Sequence, residues 1–528
     1  MFKEFWPTIS RINRRYFLDY FIVWLLALIL FAWLQASATL PEPDSFYHAK
    51  MAELLGQGQI LHQLPWLQET ALNSSFVDHH FLYHLLLVPF VKVMPPLLGV
   101  KLATVIFASL AVALVYRLFK KFEIKWPFLF VSVLLVSQPW LFRASLVKAP
   151  VVLLSLVILS FYCLSHHRHW CLAVISFLAV WLYAGWPLIP AMAIIYILII
   201  RCLEKFRKDD SIWFKVKSFL SVSKNQIVPW RGGLYCLGGV LAGIAFNPYF
   251  PNNLIFYWQQ IVQIALINYQ KVIGVGGEWY PYGFWQLISD AAIVCALLIV
   301  SWLLFIITIK KQSVYSWTWG LLALVFFVLT LKSRRNVEFF IPFSVIFSAF
   351  VFTNYFNKFS FNDLLTLVGR KWRVFFQISG LLIILIFAVH APADVLAVKK
   401  DIKNGWPLDH YLGASQWLIA NSPEGAIVFH ADWDDFPFLF YHNSHNYYLV
   451  GLDPTFMYQK DPGRYQQYVD VTLGKQRFDL KQIIRGNFNA RYVFLDSEHI
   501  SFNNNLRLDP GFKLVYQDHE GKVYQIVE

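Results

Sequence analysis

Long apolar runs joined by short basic loops constrain this 528-residue chain more than any other feature. Hydrophobic residues make up 57% of it and charged residues 15%, where a soluble protein carries about 25% charged residues. Such a chain is expected to cross a membrane many times as helices, because each backbone polar group in lipid must be satisfied within its own segment. The formal net charge of +13 would suit nucleic acid. The Lys and Arg residues cluster in loops between apolar runs, however, as the positive-inside rule requires. No nucleic-acid partner is expected.

The first run, residues 20–38, follows Lys3, Arg11, Arg14 and Arg15 and lacks a small-residue cleavage site. It reads as an uncleaved span with a cytoplasmic N-terminus in the plasma membrane. The run 81–94 is short and interrupted by His84, Pro89 and Lys92, so it reads as an interfacial or re-entrant helix. The second span is then 98–117, which leaves Arg117, Lys120, Lys121 and Lys125 inside. Further spans are expected at roughly 126–142, 149–165, 170–184, 187–201, 233–247, 286–309, 314–331, 337–355 and 374–391, about eleven in all. The loops 201–232, Lys310–Lys311 and 356–373 (Lys358, Arg370, Lys371, Arg373) are the basic, inner ones. The odd count puts the C-terminus outside.

Two long outer loops result. The first, 39–97, is expected to carry surface helices. The second, 248–285, has a helical pattern at 252–271 and a glycine-rich turn, Gly274–Pro281. From residue 392 the composition is that of a soluble domain, with strand-length runs at 426–430, 447–451, 491–495, 513–517 and 522–527, the last two flanking a turn as a hairpin does. The expected architecture is an α-helical polytopic membrane domain, 1–391, followed by an extracytoplasmic α/β domain, 392–528. The cysteines all lie in or beside apolar runs, which argues against a disulfide framework and a thiolate metal site.

Candidate chemistry gathers in the outer loops. Asp44, the first acid after the first span, reads as a catalytic base or metal ligand, or else as a helix cap. Asp78, His79 and His80, with His48 and His84 nearby, offer carboxylate and imidazole to Mg²⁺, Mn²⁺ or Zn²⁺, or else form a polar end to the 81–94 helix. Glu278 lies in a turn whose glycines let a ligand approach the backbone. Arg143, Lys148, Arg334 and Arg335 are cations at outer boundaries, where phosphate binding competes with snorkelling to headgroups. His430, Asp432, Trp433, Asp434, Asp435, His442 and His445 follow a strand, where α/β domains bind ligands; turn capping by Asp434 or Asp435 is the plainer reading.

This layout of an N-terminal span, an acid opening a long first outer loop, many spans and an outer domain resembles the C-type (GT-C) membrane glycosyltransferases. Within them it is most similar to the oligosaccharyltransferase catalytic subunit and its single-subunit bacterial and archaeal relatives. PDSFYH at 43–48 resembles the family's first-loop acidic motif, which implies a catalytic Asp44. Glu278 resembles the loop glutamate that holds metal and acceptor. Arg334 or Arg335 resembles the arginine that meets lipid phosphate. Trp433-Asp434 resembles part of the acceptor-reading W-W-D-Y-G motif, although Asp432 replaces the first Trp and Phe436-Pro437 the Tyr-Gly. The loop 143–148 lacks the family's acidic pair, so Asp78 and His80 are the candidates to complete a metal site with Asp44 and Glu278.

The resemblance implies an inverting transfer of a sugar or oligosaccharide from a polyprenyl-phosphate or -diphosphate donor to a protein or glycan acceptor, with Mg²⁺ or Mn²⁺ as the cofactor if one is used. Two other readings stay open at this point. One is a polyprenyl-phosphate-monosaccharide transferase that modifies a glycan or lipid. The other is a non-catalytic envelope-assembly protein. A transporter fits less well, since its ionisable residues would lie within spans.

Overall fold

A computed structural model describes residues 17–208, 229–267, 269–357 and 369–527. Lys3, Arg11, Arg14, Arg15, Lys358 and the middle of the loop 201–232 lie outside the described residues. The chain forms two compact units, each built from separated stretches: Met1–Ser37, Thr104–Phe246 and Glu278–Ile402 in one, Ala38–Ala103, Asn247–Gly277 and Lys403–Glu528 in the other.

The first unit is helical. Among the described residues four helices are long and apolar enough to cross a membrane: Leu18–Gln35, Pro96–Lys121, Val314–Lys332 and Arg334–Phe356. There are six if each of two bent pairs counts as one span. Helices Pro150–Ser165 and His169–Leu182 are apolar but shorter. Burial separates the helices by position. The apolar stretch of Leu18–Gln35 is 33% buried, as suits a helix at the rim, whereas that of Arg334–Phe356 is 83% buried. A helix apolar on all faces belongs at the centre of a bundle.

Two expected spans are not straight. The stretch 126–142 breaks into Pro127–Leu135 and Gln138–Ala144, bent by 75°. Pro139 lies in the first turn of the second piece, where its missing N–H costs nothing and its ring bars continuation of the first. The break sets Arg143 in the last turn of a short helix. The stretch 286–309 is likewise Phe284–Asp290 and Ala292–Ile307, bent by 100°, and the Asp290 carboxylate accepts a hydrogen bond from Tyr282 Oη at 2.7 Å.

Helices His169–Leu182 and Trp230–Ala245 pack closely because glycines line the second. A Cβ on Gly239 would overlap the Ala173 carbonyl, whereas one on Gly238 would meet nothing. Gly239→Val is therefore expected to destabilise by about 1–3 kcal/mol or more, and Gly238→Ala to be neutral or slightly stabilising. Thermal unfolding in detergent distinguishes the two, and equal melting temperatures would refute the packing argument.

The second unit is built on a five-stranded sheet of order β4-β3-β5-β7-β6. Its strands are β3 (Ile427–His430), β4 (Tyr447–Tyr448), β5 (Tyr492–Asp496), β6 (Phe512–Gln517) and β7 (Gly521–Ile526); a separate pair joins β1 (Thr39–Leu40) to β2 (Trp406–Pro407). β4, β3 and β5 run parallel, while β7 is antiparallel to β5 and β6. The last two strands form the expected hairpin. Phe429, Val493, Leu495 and Tyr524 from the sheet bury against Tyr468, Val471, Ile484, Phe488 and Phe502.

Segments distant in sequence complete this unit. Gln68 and Glu69 donate backbone N–H groups to the carbonyls of Tyr448 and Leu449, so the first loop covers the β4 edge that would otherwise be open. Ile273 joins the sheet's core, with Tyr269 and Val275 packed against it. The expected helix at 252–271 is α-helical only over Asn252–Trp258 and continues as a π-helix, Gln259–Ile267. The 81–94 run is helical over Phe81–Val93 and contains Pro89.

Candidate functional site

In the helical unit, ion pairs converge on one carboxylate. Arg143 Nη1 donates to Glu278 Oε2 at 2.7 Å, Lys148 Nζ lies 3.3 Å from the same oxygen, and Arg335 Nη1 lies 3.3 Å from Oε1. The other side of Arg143 donates through Nε and Nη2 to Glu338 Oε2 at 3.0 and 2.8 Å. Arg335 Nη2 donates to Tyr183 Oη at 2.6 Å, and its guanidinium lies 4.2 Å from the centre of the Trp279 ring. These charged side chains are between 8% and 23% exposed, so they pair in a medium that screens them far less than water does. Burial alone would push the Glu278 carboxyl up; Lys148, Arg335 and Arg143 outweigh it and hold the group well below the usual carboxylate range.

Local structure explains the convergence. Glu338 lies in the first turn of Val337–Phe356, where the helix dipole favours an acid. Ser333 Oγ donates to the Glu278 carbonyl at 3.0 Å, and the Arg334 N–H donates to the Tyr280 carbonyl at 2.9 Å. Two short turns, Gly277–Trp279 and Arg334–Asn336, are thereby tied together. Of the two candidate arginines, Arg335 enters the cluster. Arg334 is turned to the Pro281 carbonyl at 3.5 Å and the Tyr282 ring. Sequence reading missed Glu338 and Tyr183. The signal for Glu338 was an acid opening an otherwise uncharged apolar run, which needs a cation beside it.

In the mixed unit, Asp44 opens the helix Asp44–Gly56 after Pro43, and that N-terminus has no side-chain cap. One turn on, His48 Nδ1 and His84 Nε2 are 2.8 Å apart, and His84 Nδ1 lies 2.6 Å from Asp78 Oδ2. All three are buried. A carboxylate only accepts, so the chain runs His48 Nδ1–H to His84 Nε2 and His84 Nδ1–H to Asp78. Asp78 Oδ1 also accepts the His80 N–H at 3.0 Å. The His79 and His80 ring centres are 3.9 Å apart with the planes tilted by 44°, and the His80 ring is edge-on to His48 at 4.9 Å.

Asp78 is thus engaged by His84 and a backbone amide, and Glu278 by three cations. Among the described residues no group of three or more His, Cys, Asp or Glu side chains is arranged to hold a metal ion. These carboxylates do not fit the role of metal ligands in this arrangement.

At the carboxyl ends of β3 and β5, the chain turns to opposite sides of the sheet, the switch point at which open α/β sheets bind ligands. Trp433–Asp435 forms a single turn there. Asp432 caps it, accepting the Asp434 N–H at 3.2 Å, and Asp435 returns the bond by accepting the Asp432 N–H at 3.1 Å. The capping expected of Asp434 or Asp435 is thus shared by Asp432 and Asp435. Trp433 packs against the core. Burial, then the charges of Asp496 and Asp432, push the Asp435 carboxyl well up, and it pairs with Tyr411 Oη at 3.0 Å.

His430 is fully buried, with Nδ1 donating to the Asp432 carbonyl at 2.6 Å and Nε2 accepting the Val450 N–H at 3.4 Å. Burial lowers its pKa to about 4. The folded pKa lies below the unfolded value near 6.5, so this contribution is intact above pH 6.5 and is lost as pH falls towards 4. The loss is expected to be roughly 3 kcal/mol. His430→Gln should flatten the unfolding free energy between those pH values, and a wild-type slope in the variant would refute this.

No family model matches the chain, and no curated protein matches it by sequence. Solved structures do. The archaeal oligosaccharyltransferase AglB of Archaeoglobus fulgidus, in complex with an inhibitory peptide and a dolichol-phosphate, superposes with a TM-score of 0.60 at 14% identity, covering 98% of this chain and 75% of that one. ArnT of Cupriavidus metallidurans bound to undecaprenyl phosphate gives 0.55 at 12% identity, covering 96% and 98%. The mycobacterial arabinofuranosyltransferase AftD gives 0.51 at 10% identity, covering 96% and 40%. The chain shares the fold of these solved structures, in keeping with the resemblance to the C-type membrane glycosyltransferases.

Proposed function

We propose that the protein is a multi-pass membrane glycosyltransferase that moves a sugar from a polyprenyl-phosphate-linked donor to an acceptor outside the cytoplasm. The observation that carries this reading is the buried cation cluster of Arg143, Lys148 and Arg335 in a chain with this fold. Three cations held by fixed partners suit a phosphate that gains charge as it leaves, because donors already in place need no reorganisation during the reaction. The neighbours bound to dolichol-phosphate and undecaprenyl phosphate support that ligand class.

In this reading the acceptor's nucleophilic atom forms a bond to the anomeric carbon as the bond to the donor phosphate oxygen breaks. The electron pair leaves on the lipid phosphate, and the acceptor's proton passes to Asp44. A single displacement inverts the anomeric centre. Trp433 and Asp434, at the switch point, are the proposed acceptor contacts in the mixed unit. An oligosaccharyltransferase-like role with a peptide acceptor is the finer form, and the neighbour solved with an inhibitory peptide and a dolichol-phosphate supports it.

The test is sugar transfer by purified protein in nanodiscs, supplied with mixed polyprenyl-linked sugars and peptide, glycan and lipid acceptors, with and without EDTA. Product on one acceptor class identifies the role, and loss in EDTA would bring a divalent ion into the mechanism. The same output from a variant lacking both Arg143 and Arg335 guanidiniums would overturn the reading.

A further inference from the structure

Glu278 is an acid in a place built for an anion. One carboxylate lies within 3.3 Å of three cations, in a cluster that also holds Glu338, bound through Nε and Nη2 of Arg143 on the far side from Glu278. Its two oxygens divide the cations as two oxygens of a phosphate would: Oε2 faces Arg143 and Lys148, and Oε1 faces Arg335. The turn that carries it is preceded by glycines, and a Cβ on Gly274 or Gly277 would meet nothing within 4 Å. From this geometry we infer that Glu278 occupies the seat of a phosphate monoester, and that a polyprenyl monophosphate binds by displacing it. This rests on the phosphate reading of the cluster proposed above.

Charge selects the ligand. Among these five side chains, three cations face two carboxylates, an excess of one positive charge while Glu278 is seated. With Glu278 displaced and Glu338 retained, two positive charges remain, which match a phosphate monoester carrying about −1.5 to −2 at neutral pH. A polyprenyl diphosphate carries more negative charge than the vacated cluster balances. The seated carboxylate also keeps the three cations from repelling one another before the lipid arrives.

The experiment measures binding of undecaprenyl phosphate and undecaprenyl diphosphate to the full-length protein in nanodiscs. Glu278→Gln removes the competing charge and is expected to bind the monophosphate about tenfold tighter or more, because the open seat no longer has to be vacated first. Glu338→Gln makes the same charge change outside the seat and is expected not to tighten binding. Wild type is expected to prefer monophosphate to diphosphate. Equal tightening in both variants, no tightening in Glu278→Gln, or a preference for diphosphate would overturn the inference.

A readout on the wild type covers the case of a variant that does not fold. Saturating undecaprenyl phosphate is expected to speed hydrogen exchange at the Arg334 amide, which is bonded to the Tyr280 carbonyl in the seated arrangement. Unchanged protection with lipid bound would refute displacement. Arg335→Gln separates the two levels. If wild type does not bind, or Arg335→Gln binds as well, the phosphate reading fails and displacement with it. If Arg335→Gln loses binding but Glu278→Gln gains nothing, displacement alone fails.

Discussion

Asp44→Ala is expected to lower sugar transfer by about 10²–10⁴-fold, the usual contribution of a positioned general base. The variant is expected to stay folded. Asp44 sits in the first turn of its helix, where an acid contributes about 0.3–1 kcal/mol through the helix dipole. The helix is anchored by other residues: Phe46 packs edge-on to Phe438 at 4.7 Å, and His48 is bonded into the His84–Asp78 chain. A base that acts only on the acceptor's proton should reduce kcat and leave the apparent affinity for lipid donor near that of wild type. Comparing kcat, donor KM and melting temperature in nanodiscs checks all three. Turnover within a few-fold of wild type would remove Asp44 from the chemistry, and a lost melting transition would make its role structural.

What the sequence made legible depended on whether the signal was local. Apolar runs and strand-length segments are local, and the runs at 426–430, 491–495, 513–517 and 522–527 all fall on strands. The bends were harder to see. The Ser137-Gln138-Pro139 step was visible as residues, but uniform hydropathy hid the break it causes. The cation cluster was legible only as parts. Arg143, Lys148 and Arg335 each read as a phosphate contact, and Glu278 as a ligand for metal or acceptor. That Glu278 pairs with residues 135 and 130 positions away is a tertiary fact that no local pattern carries. The same holds for His48 and His84, 36 residues apart, whose bonding turns an apparent metal cluster into a buried chain ending on Asp78.

Arg143→Gln is the second large effect, and it separates stability from chemistry. Arg143 bridges two carboxylates, Glu278 and Glu338, from a site only 10% exposed. Glutamine keeps a donor but removes the charge and the fork, so Glu338, 8% exposed, loses the guanidinium that neutralises it. Breaking a buried pair from one side costs about 3–5 kcal/mol because the remaining charge stays desolvated. The double variant Arg143→Gln with Glu338→Gln should recover much of that stability, since it leaves no unpaired charge on that side. It should not recover transfer, which is expected to stay about 10²–10³-fold down for want of a cation at the departing phosphate. Thermal unfolding and transfer rate on the two single variants and the double complete the cycle. If stability and transfer return together in the double variant, the role of Arg143 is structural and the phosphate is held elsewhere. If stability returns alone, the guanidinium acts on the leaving group.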